Sequence, residues 1–319
     1  MWTTNAYGAS GRTLTVTAPD GSVTRYAYSG NQTTVTDAEG KWKTSVSDAF
    51  GNLVQVIEPD PAGGANLVTN YTYNGLNQLV QVSMPRGVSG QTSTQTRTFA
   101  CSGTDMVAAT NPESGTVTYQ YDAAHHVTQR TDNMGQQTRY SYDVYGRLTQ
   151  VQHWAGSPLA EQINQRWNYY YDANPYDGTY SQNTWGRLAA VDFAPPYTGG
   201  AATFTYQYSY NQAGRVTNQR MTTPVNKAPT IQAAYTWDTE GRMTSLGYPA
   251  MPLLGLPSPT YGYQFDNMGR LGTMQDISNG TVNAPTVASA GYGVAGELLN
   301  LSYPSDGYSE TRTTTACSS

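Results

Sequence analysis

Charged side chains are scarce in this sequence. Asp, Glu, Lys and Arg make up 12% of the 319 residues, about half of the roughly 25% that is usual in soluble domains. The net charge is −5, and the basic residues are scattered singly along the chain. No basic surface is therefore expected that could neutralise phosphates, and nucleic acid is not predicted as a partner.

Cysteines and long apolar runs are also few. The two cysteines, Cys101 and Cys317, are far apart in the sequence, which indicates no disulfide framework and leaves the cellular compartment unknown. No apolar run approaches the ~20 residues that a membrane-spanning helix needs. The first residues contain neither the basic nor the apolar segment of a signal peptide. We therefore predict no membrane span.

Glycine, tyrosine and neutral polar residues are abundant instead. The chain has 32 Gly and 26 Tyr, and 38% of its residues are hydrophobic, which predicts an ordered protein. Such a chain can bury aromatic rings on one face of a β-sheet and present Thr, Ser, Gln and Asn to water. No helical period is apparent, so an all-β fold is predicted.

A short motif recurs along the chain. Its clearest copy runs from Tyr140 to Thr149: two aromatic residues one position apart, then Asp, two variable residues, Gly, Arg, an aliphatic residue and Thr. Further copies, some close and some loose, occupy Tyr71–Leu79, Tyr119–Thr128, Tyr208–Thr217, Tyr235–Thr244 and Tyr263–Leu271. Another begins at Tyr169 and is completed by Gly186 and Arg187 after an insertion. Such repetition predicts an array in which each unit packs on its neighbours.

The motif itself predicts a β-hairpin. Aromatic residues two positions apart point to one face of a strand. Asp or Asn then opens a tight turn, and Gly closes it in the left-handed conformation. If Asp143 lies opposite Arg147, then Tyr142 faces Leu148, and an unbroken ladder places Tyr140 opposite Gln150. The predicted turn residues are Asp122, Asp143, Gly146, Arg147, Asn211, Gly214, Arg215, Asp238, Gly241, Arg242, Asp266, Gly269 and Arg270.

The spacing of the turns predicts how the chain is organised. Residues 1–312 are expected to form the array, with regular short units in 1–153 and longer units, expanded by Pro/Gly-rich insertions, in 154–312. Residues 313–319 are expected to be a disordered tail. Exposed strand edges would favour self-association of the chain.

The copy from Tyr140 to Thr149 resembles the YD repeat of Rhs proteins. That family includes bacterial rearrangement-hotspot proteins, the C component of insecticidal toxin complexes and the teneurins. The resemblance implies tandem antiparallel hairpins that form a curved, spiralling sheet, a segment of a hollow shell. It also implies a non-catalytic wall that encloses a C-terminal toxin or other polypeptide cargo in a longer parent, which would be exported, secreted or cell-surface in a bacterium.

One family motif has only a partial counterpart. The shell-closing region of the family carries Asp-Pro-x-Gly-Leu, where self-cleavage frees the toxin. The similar string here, Asp60-Pro61-Ala62-Gly63-Gly64, lacks the Leu and lies in the first fifth of the sequence. We interpret it as a proline-glycine loop rather than a processing site.

The residues that could carry chemistry fall on repeat positions. His125 and His126 replace the Gly and Arg of one copy, and His tolerates the turn conformation better than most residues, so a turn is favoured over a metal site. The repeat aspartates recur in register, which favours turn formation over paired catalytic carboxylates. No catalytic, cofactor or metal site is predicted.

Two other functions are weighed against the scaffold. The first is a cell-surface adhesion or glycan-binding array, in which Trp154, Trp167 and Trp185 of the insertion region would stack on sugars. The second is a carbohydrate-active enzyme built on a β-solenoid. The recurrence of the aromatic residues at packing positions favours the scaffold.

Overall fold

The protein is all-β, as the sequence predicts. The structure is a computed structural model that describes residues 2–88, 91–193, 203–223, 230–250, 258–294 and 296–312. Within these residues 26 strands belong to one antiparallel sheet, and the only helical segments are short 3₁₀ turns such as Ile163–Gln165 and Pro304–Asp306. The tail predicted at 313–319 lies outside the described residues.

The chain divides into two compact units between Gln137 and Thr138. The strands that begin in the first unit are β1 (Thr4–Tyr7), β2 (Thr13–Thr17), β3 (Val23–Ser29), β4 (Gln32–Thr36), β5 (Trp42–Ser47), β6 (Leu53–Glu58), β7 (Leu67–Tyr73), β8 (Leu79–Val88), β9 (Gln91–Ser102), β10 (Asp105–Asn111), β11 (Gly115–Tyr121), β12 (Val127–Thr131) and β13 (Gln137–Tyr142).

The second unit is also built from short strands. They are β14 (Leu148–Ala155), β15 (Ala160–Glu161), β16 (Trp167–Tyr171), β17 (Leu188–Phe193), β18 (Phe204–Tyr210), β19 (Val216–Thr222), β20 (Ile231–Trp237), β21 (Met243–Gly247), β22 (Thr260–Phe265), β23 (Leu271–Asp276), β24 (Thr286–Tyr292), β25 (Leu298–Tyr303) and β26 (Tyr308–Thr311).

Sequence neighbours are also sheet neighbours. In the first unit β1 to β12 pair consecutively, and in the second unit β16 to β26 do the same, with β14 pairing with both β15 and β16. Successive connections of such a meander lie at alternate ends of the strands. Within each unit the tight repeat turns therefore share one end, which we name the turn edge.

A one-residue bulge follows the first pair of most repeat hairpins whose pairing is described. Tyr210 faces Val216, as predicted, but Ser209 then faces Asn218, so Thr217 is an extra residue without a partner. The same shift occurs after Trp237–Met243 and Phe265–Leu271. The unbroken ladder predicted beyond the first pair is therefore wrong in these copies, because a β-bulge inserts one residue and bends the strand locally.

Few residues are buried, and on one strand the polar side chains are more buried than the aromatic ones. Among the described residues only Ala109, Val117, Ala189, Ala190 and Val191 are buried hydrophobic positions. On β18 the polar Thr205, Gln207 and Ser209 are 2–5% exposed, whereas the aromatic residues between them are half-buried. The polar face of this strand is covered by the inserted residues 173–185, which the repeat pattern did not predict.

Candidate functional site

The repeat turns are closed by the aspartate that opens them. Asp143 Oδ1 accepts hydrogen bonds from the backbone N–H groups of Tyr145 (2.9 Å) and Arg147 (3.0 Å). Asp122 and Asp266 make the same pair of bonds, and Asn211 accepts from the N–H of Arg215. Such bonds replace backbone partners that a tight turn cannot supply.

The residue that closes each turn is left-handed. The φ angles are +74° at Gly146, +83° at Gly214, +90° at Gly241 and +76° at Gly269. The loose copy has His125 at this position with φ +66°, in agreement with the tolerance of His for this region. Its ring is 2.9 Å from Asp105.

In three copies the arginine after the turn glycine pairs with the aspartate of its own turn. The Nε–Oδ2 distances are 2.7 Å for Arg147–Asp143, 2.6 Å for Arg242–Asp238 and 2.7 Å for Arg270–Asp266. The backbone N–H and the guanidinium of Arg270 hold the pKa of Asp266 below its usual value. In the loose copy His126 takes the place of the arginine, 3.0 Å from Asp122.

Five arginines that follow a turn glycine also cover an aromatic ring of the following hairpin. A guanidinium over a ring is a cation–π contact. The distances from Cζ to the ring centroid are 5.1 Å for Arg12–Tyr28, 4.5 Å for Arg147–Tyr171, 5.8 Å for Arg187–Tyr210, 5.0 Å for Arg242–Phe265 and 4.8 Å for Arg270–Tyr292.

The second aromatic ring of the motif donates a hydrogen bond to the preceding hairpin in six copies, and in three of them an arginine also covers the ring. In each instance the acceptor is the carbonyl of the residue immediately before the extra residue of a bulge, where the ladder is interrupted. The bonds are Tyr28 to Thr13 (2.9 Å), Tyr73 to Leu53 (3.0 Å), Tyr121 to Met106 (2.7 Å), Tyr210 to Leu188 (2.7 Å), Trp237 Nε1 to Val216 (2.7 Å) and Tyr292 to Leu271 (3.0 Å). We name the arginine, ring and carbonyl together the inter-repeat latch, and among the described contacts all three parts are present at Tyr28, Tyr210 and Tyr292.

The latch gives one turn glycine a second role. The guanidinium of Arg187 lies 2.6 Å from the position that a Cβ of Gly214 would occupy. Any side chain at position 214 would therefore displace Arg187 from Tyr210. The glycine is required both by its positive φ and by this close approach.

The insertion region replaces one ordinary turn and builds a polar network. Asp192 is 6% exposed and accepts hydrogen bonds from Asn168 (2.7 Å), Tyr170 (2.8 Å) and Tyr176. Burial together with these contacts raises the pKa of Tyr176 well above its usual value. The carboxylate is saturated by donors, which is typical of a structural group.

A second branch of the network ties the insertion to β18 and β19. Asn174 donates to Gln207 (2.8 Å), which also accepts from Arg220 (2.8 Å), and Arg220 pairs with Asp177 at 2.6 Å. The hydroxyl of Thr179 and the guanidinium of Arg220 lower the pKa of Asp177 to about 2. No sequence pattern predicted these contacts, because they join residues far apart in the chain.

The three tryptophans proposed for sugars lie in different surroundings. Trp154 is covered by the Arg139 guanidinium at 4.1 Å, and Trp167 is stacked on Phe193 at 4.3 Å. Trp185 lies at the tip of its turn and is 79% exposed. Of the three, only Trp185 is an exposed residue.

The other candidates form ordinary turns or pairs. Asp60 accepts hydrogen bonds from the N–H groups of Ala62 and Gly63 (both 2.9 Å), so its string forms an Asx turn. Across the described ranges, no cluster of three or more His, Cys, Asp or Glu side chains could hold a metal ion. In the same ranges, no helix is long and apolar enough to cross a bilayer.

Comparison with known proteins gives the family context. The family model described as RHS Repeat matches residues 7–41, 104–133 and 121–158. No curated protein sequence matches the chain.

Solved structures match the fold over most of the chain. The crystal structure of TcdB2-TccC3 without its hypervariable C-terminal region has a TM-score of 0.73 at 15% identity, and the match covers 95% of this chain and 16% of that one. The Tc holotoxin pore of Photorhabdus luminescens gives 0.72 at 13% identity, with the same coverage. The chain thus spans about a sixth of the length of these structures and shares the fold of that part. The chain therefore contains RHS repeats in residues 7–41 and 104–158, and it shares the fold of the matched part of the Tc toxin structures.

Proposed function

We propose that the chain is a non-catalytic structural scaffold, a wall segment of an Rhs/YD-repeat shell that encloses a C-terminal toxin or other polypeptide cargo in a longer parent. The observation that carries the proposal is the inter-repeat latch. The aspartates and glycines of the motif close turns, and most of its arginines and second aromatic residues join hairpins. They are therefore not available to bind or transform a substrate.

The fold supports the same conclusion. The match to TcdB2-TccC3 extends over 95% of this chain, and that crystal structure is of a protein without its hypervariable C-terminal region. A wall that is uniform in its repeats and a C-terminal region that varies are what an enclosure with exchangeable cargo requires. The parent would be exported, secreted or displayed at the surface of a bacterium.

The test uses the complete gene product in which this chain occurs. Its C-terminal region should resist protease while the array is intact. It should become accessible when two latches are removed by Arg242→Ala and Arg270→Ala. Arg312→Ala, which removes an exposed arginine paired only with Glu310, is the control and should leave protection unchanged. Equal cleavage in all three proteins would overturn enclosure.

Catalysis by the wall itself has a separate test. Hydrolase or lyase activity of the 319-residue chain that disappears in Asp143→Asn, with an unchanged circular dichroism spectrum, would contradict the non-catalytic role. A glycan-binding array is the second candidate, and it depends on Trp185, because that residue is exposed. Strong glycan-array signals that vanish in Trp185→Ala would favour it over the scaffold.

A further inference from the structure

Large apolar side chains protrude from the turn edge of the second unit. Tight turns are normally polar at their tips. Here Val144 is 94% exposed, Tyr145 73%, Trp185 79%, Met268 68% and Val294 99%. We name these five residues the apolar turn edge.

All five belong to the same end of their strands. Val144 and Tyr145 follow β13, Trp185 follows β16, Met268 follows β22 and Val294 follows β24. Turns at this end are two strands apart, a spacing of about 10 Å between neighbouring tips. The exposed side chains therefore recur along one line of hairpin ends.

The turns that carry these side chains are held rigidly by hydrogen bonds and ion pairs. The turn that carries Val144 is closed by the 3.0 Å bond from Gly146 N–H to the Asp143 carbonyl. It is fixed to the next turn by the bidentate pair of Arg147 with Asp172, at 2.7 and 3.1 Å. Ordering these side chains on binding therefore costs little backbone entropy.

Charge near the tips of Val144, Tyr145 and Trp185 is balanced. Asp143 and Asp172 share Arg147, and Arg187, on the turn that begins at Asp172, brings the net charge of these four groups to zero. Further along the edge, Asp238 and Glu240 share Arg242, and Asp266 pairs with Arg270. The three tips therefore present little net field to an anionic or a cationic partner.

Two kinds of partner could cover an exposed apolar edge. A protein partner is favoured by a central cluster of contacts packed into a complementary surface. The present tips are separate protrusions with polar turns between them, at Gln212 and Thr239. A fluid interface adapts to separate protrusions, and Trp and Tyr are enriched at the headgroup level of bilayers.

We propose that the apolar turn edge is a peripheral membrane-docking edge that inserts Val144, Tyr145 and Trp185 into the interface of a zwitterionic bilayer. The inference goes beyond the scaffold function and does not depend on it. The chain lies on the membrane in this arrangement and does not span it.

The probe is a vesicle of phosphatidylcholine alone, mixed with the full 319-residue chain and separated by flotation. The wild type is expected to float with the vesicles, and added salt should not release it, because the contact is apolar. The double variant Val144→Ser/Trp185→Ser should lower the partition coefficient about tenfold or more. Val282→Ser is the matched control, since Val282 is 86% exposed in the connection at the opposite strand end of the same unit, and it should float like the wild type.

Three results would overturn the proposal. They are the absence of wild-type flotation, equal flotation of all three proteins, and binding that requires phosphatidylserine and vanishes in salt. Light scattering without lipid provides a further check. If the double variant abolishes self-association of the wild type and flotation is unaffected, the edge is a protein contact instead. Quenching of tryptophan fluorescence by brominated lipid reports insertion directly, and the expected result is that Trp185→Ser reduces it while Trp154→Phe does not.

Discussion

At the residue scale, the repeat motif serves two purposes with the same side chains. Its Asp and Gly close a turn, and its Arg and second aromatic residue reach the neighbouring hairpin. The first purpose could be predicted from the sequence, because turn chemistry is local. The second could not, because it depends on the bulge that shifts the register and interrupts the ladder beside the accepting carbonyl.

Replacing Gly214 separates backbone strain from crowding. Gly214→Ala should lower the free energy of unfolding by more than the ~1–2 kcal/mol that a left-handed non-glycine residue costs, because Arg187 must also leave Tyr210. Gly186→Ala is the control, since Gly186 has φ +75° and no atom within 4 Å of its ideal Cβ position. Urea unfolding of both variants measures the difference. Equal losses would mean that Arg187 moves aside without cost.

One latch lacks its hydrogen bond and can be completed. Phe265 lies under Arg242 like its counterparts but has no hydroxyl to donate to the carbonyl of Met243, the residue before the bulge in the preceding hairpin. Phe265→Tyr should stabilise the protein by about 0.5–1.5 kcal/mol. Tyr292→Phe, which deletes the 3.0 Å bond to Leu271, should destabilise it by a similar amount. Thermal unfolding checks both, and a loss of stability in Phe265→Tyr would refute the assigned geometry.

At the scale of elements, the strands could be predicted from the sequence, but the place of the inserted residues 173–185 could not. Alternating aromatic residues and Asx-Gly turns locate hairpins such as β18–β19, because both signals are read over a few residues. Residues 173–185 carry no such period. Their place is fixed by Asn174, Tyr176 and Asp177, whose partners Gln207, Asp192 and Arg220 are distant in sequence. The reversed burial of β18 follows from that cover.

The Asp177–Arg220 pair makes the insertion sensitive to acid. The pKa of Asp177 is about 2 in the folded protein, below its ordinary value of about 3.9. A lowered folded-state pKa stabilises the fold above the unfolded-state pKa, and this contribution is lost as pH falls from about 4 to about 2. The stability difference between wild type and Asp177→Asn should therefore shrink over that window.

The control for the pH dependence of Asp177→Asn is the same substitution at another aspartate of the second unit. Asp306→Asn changes an exposed carboxylate that accepts no side-chain hydrogen bond among the described contacts. Its unfolding free energy is measured from pH 7 to pH 2 in the same way. If the pH dependence of Asp177→Asn is the same as that of Asp306→Asn, the contacts of Asp177 with Thr179 and Arg220 contribute nothing to holding the insertion.

At the scale of the whole molecule, stability comes from contacts between neighbours rather than from a deep core. Among the described residues no large side chain is fully buried, and each hairpin touches mainly the hairpins before and after it. A repeat array of this kind is stabilised by unit-to-unit terms. Removing one latch should consequently weaken the array locally, and the proposed enclosure would then open at the damaged hairpins.

The two outermost described strands are each paired on one side only, and this determines how the 319-residue chain is expected to behave alone. Among the described strands β1 pairs only with β2, and β26 pairs only with β25. Each therefore presents one row of unpaired N–H and C=O groups, a template for another strand. We expect concentration-dependent self-association through these edges in light scattering. Ser309→Pro is expected to reduce it, because proline at an outward-facing position removes a donor, whereas Ser305→Pro, in the turn before β26, should not. A molecular mass that stays monomeric across concentrations would show that the edges are protected.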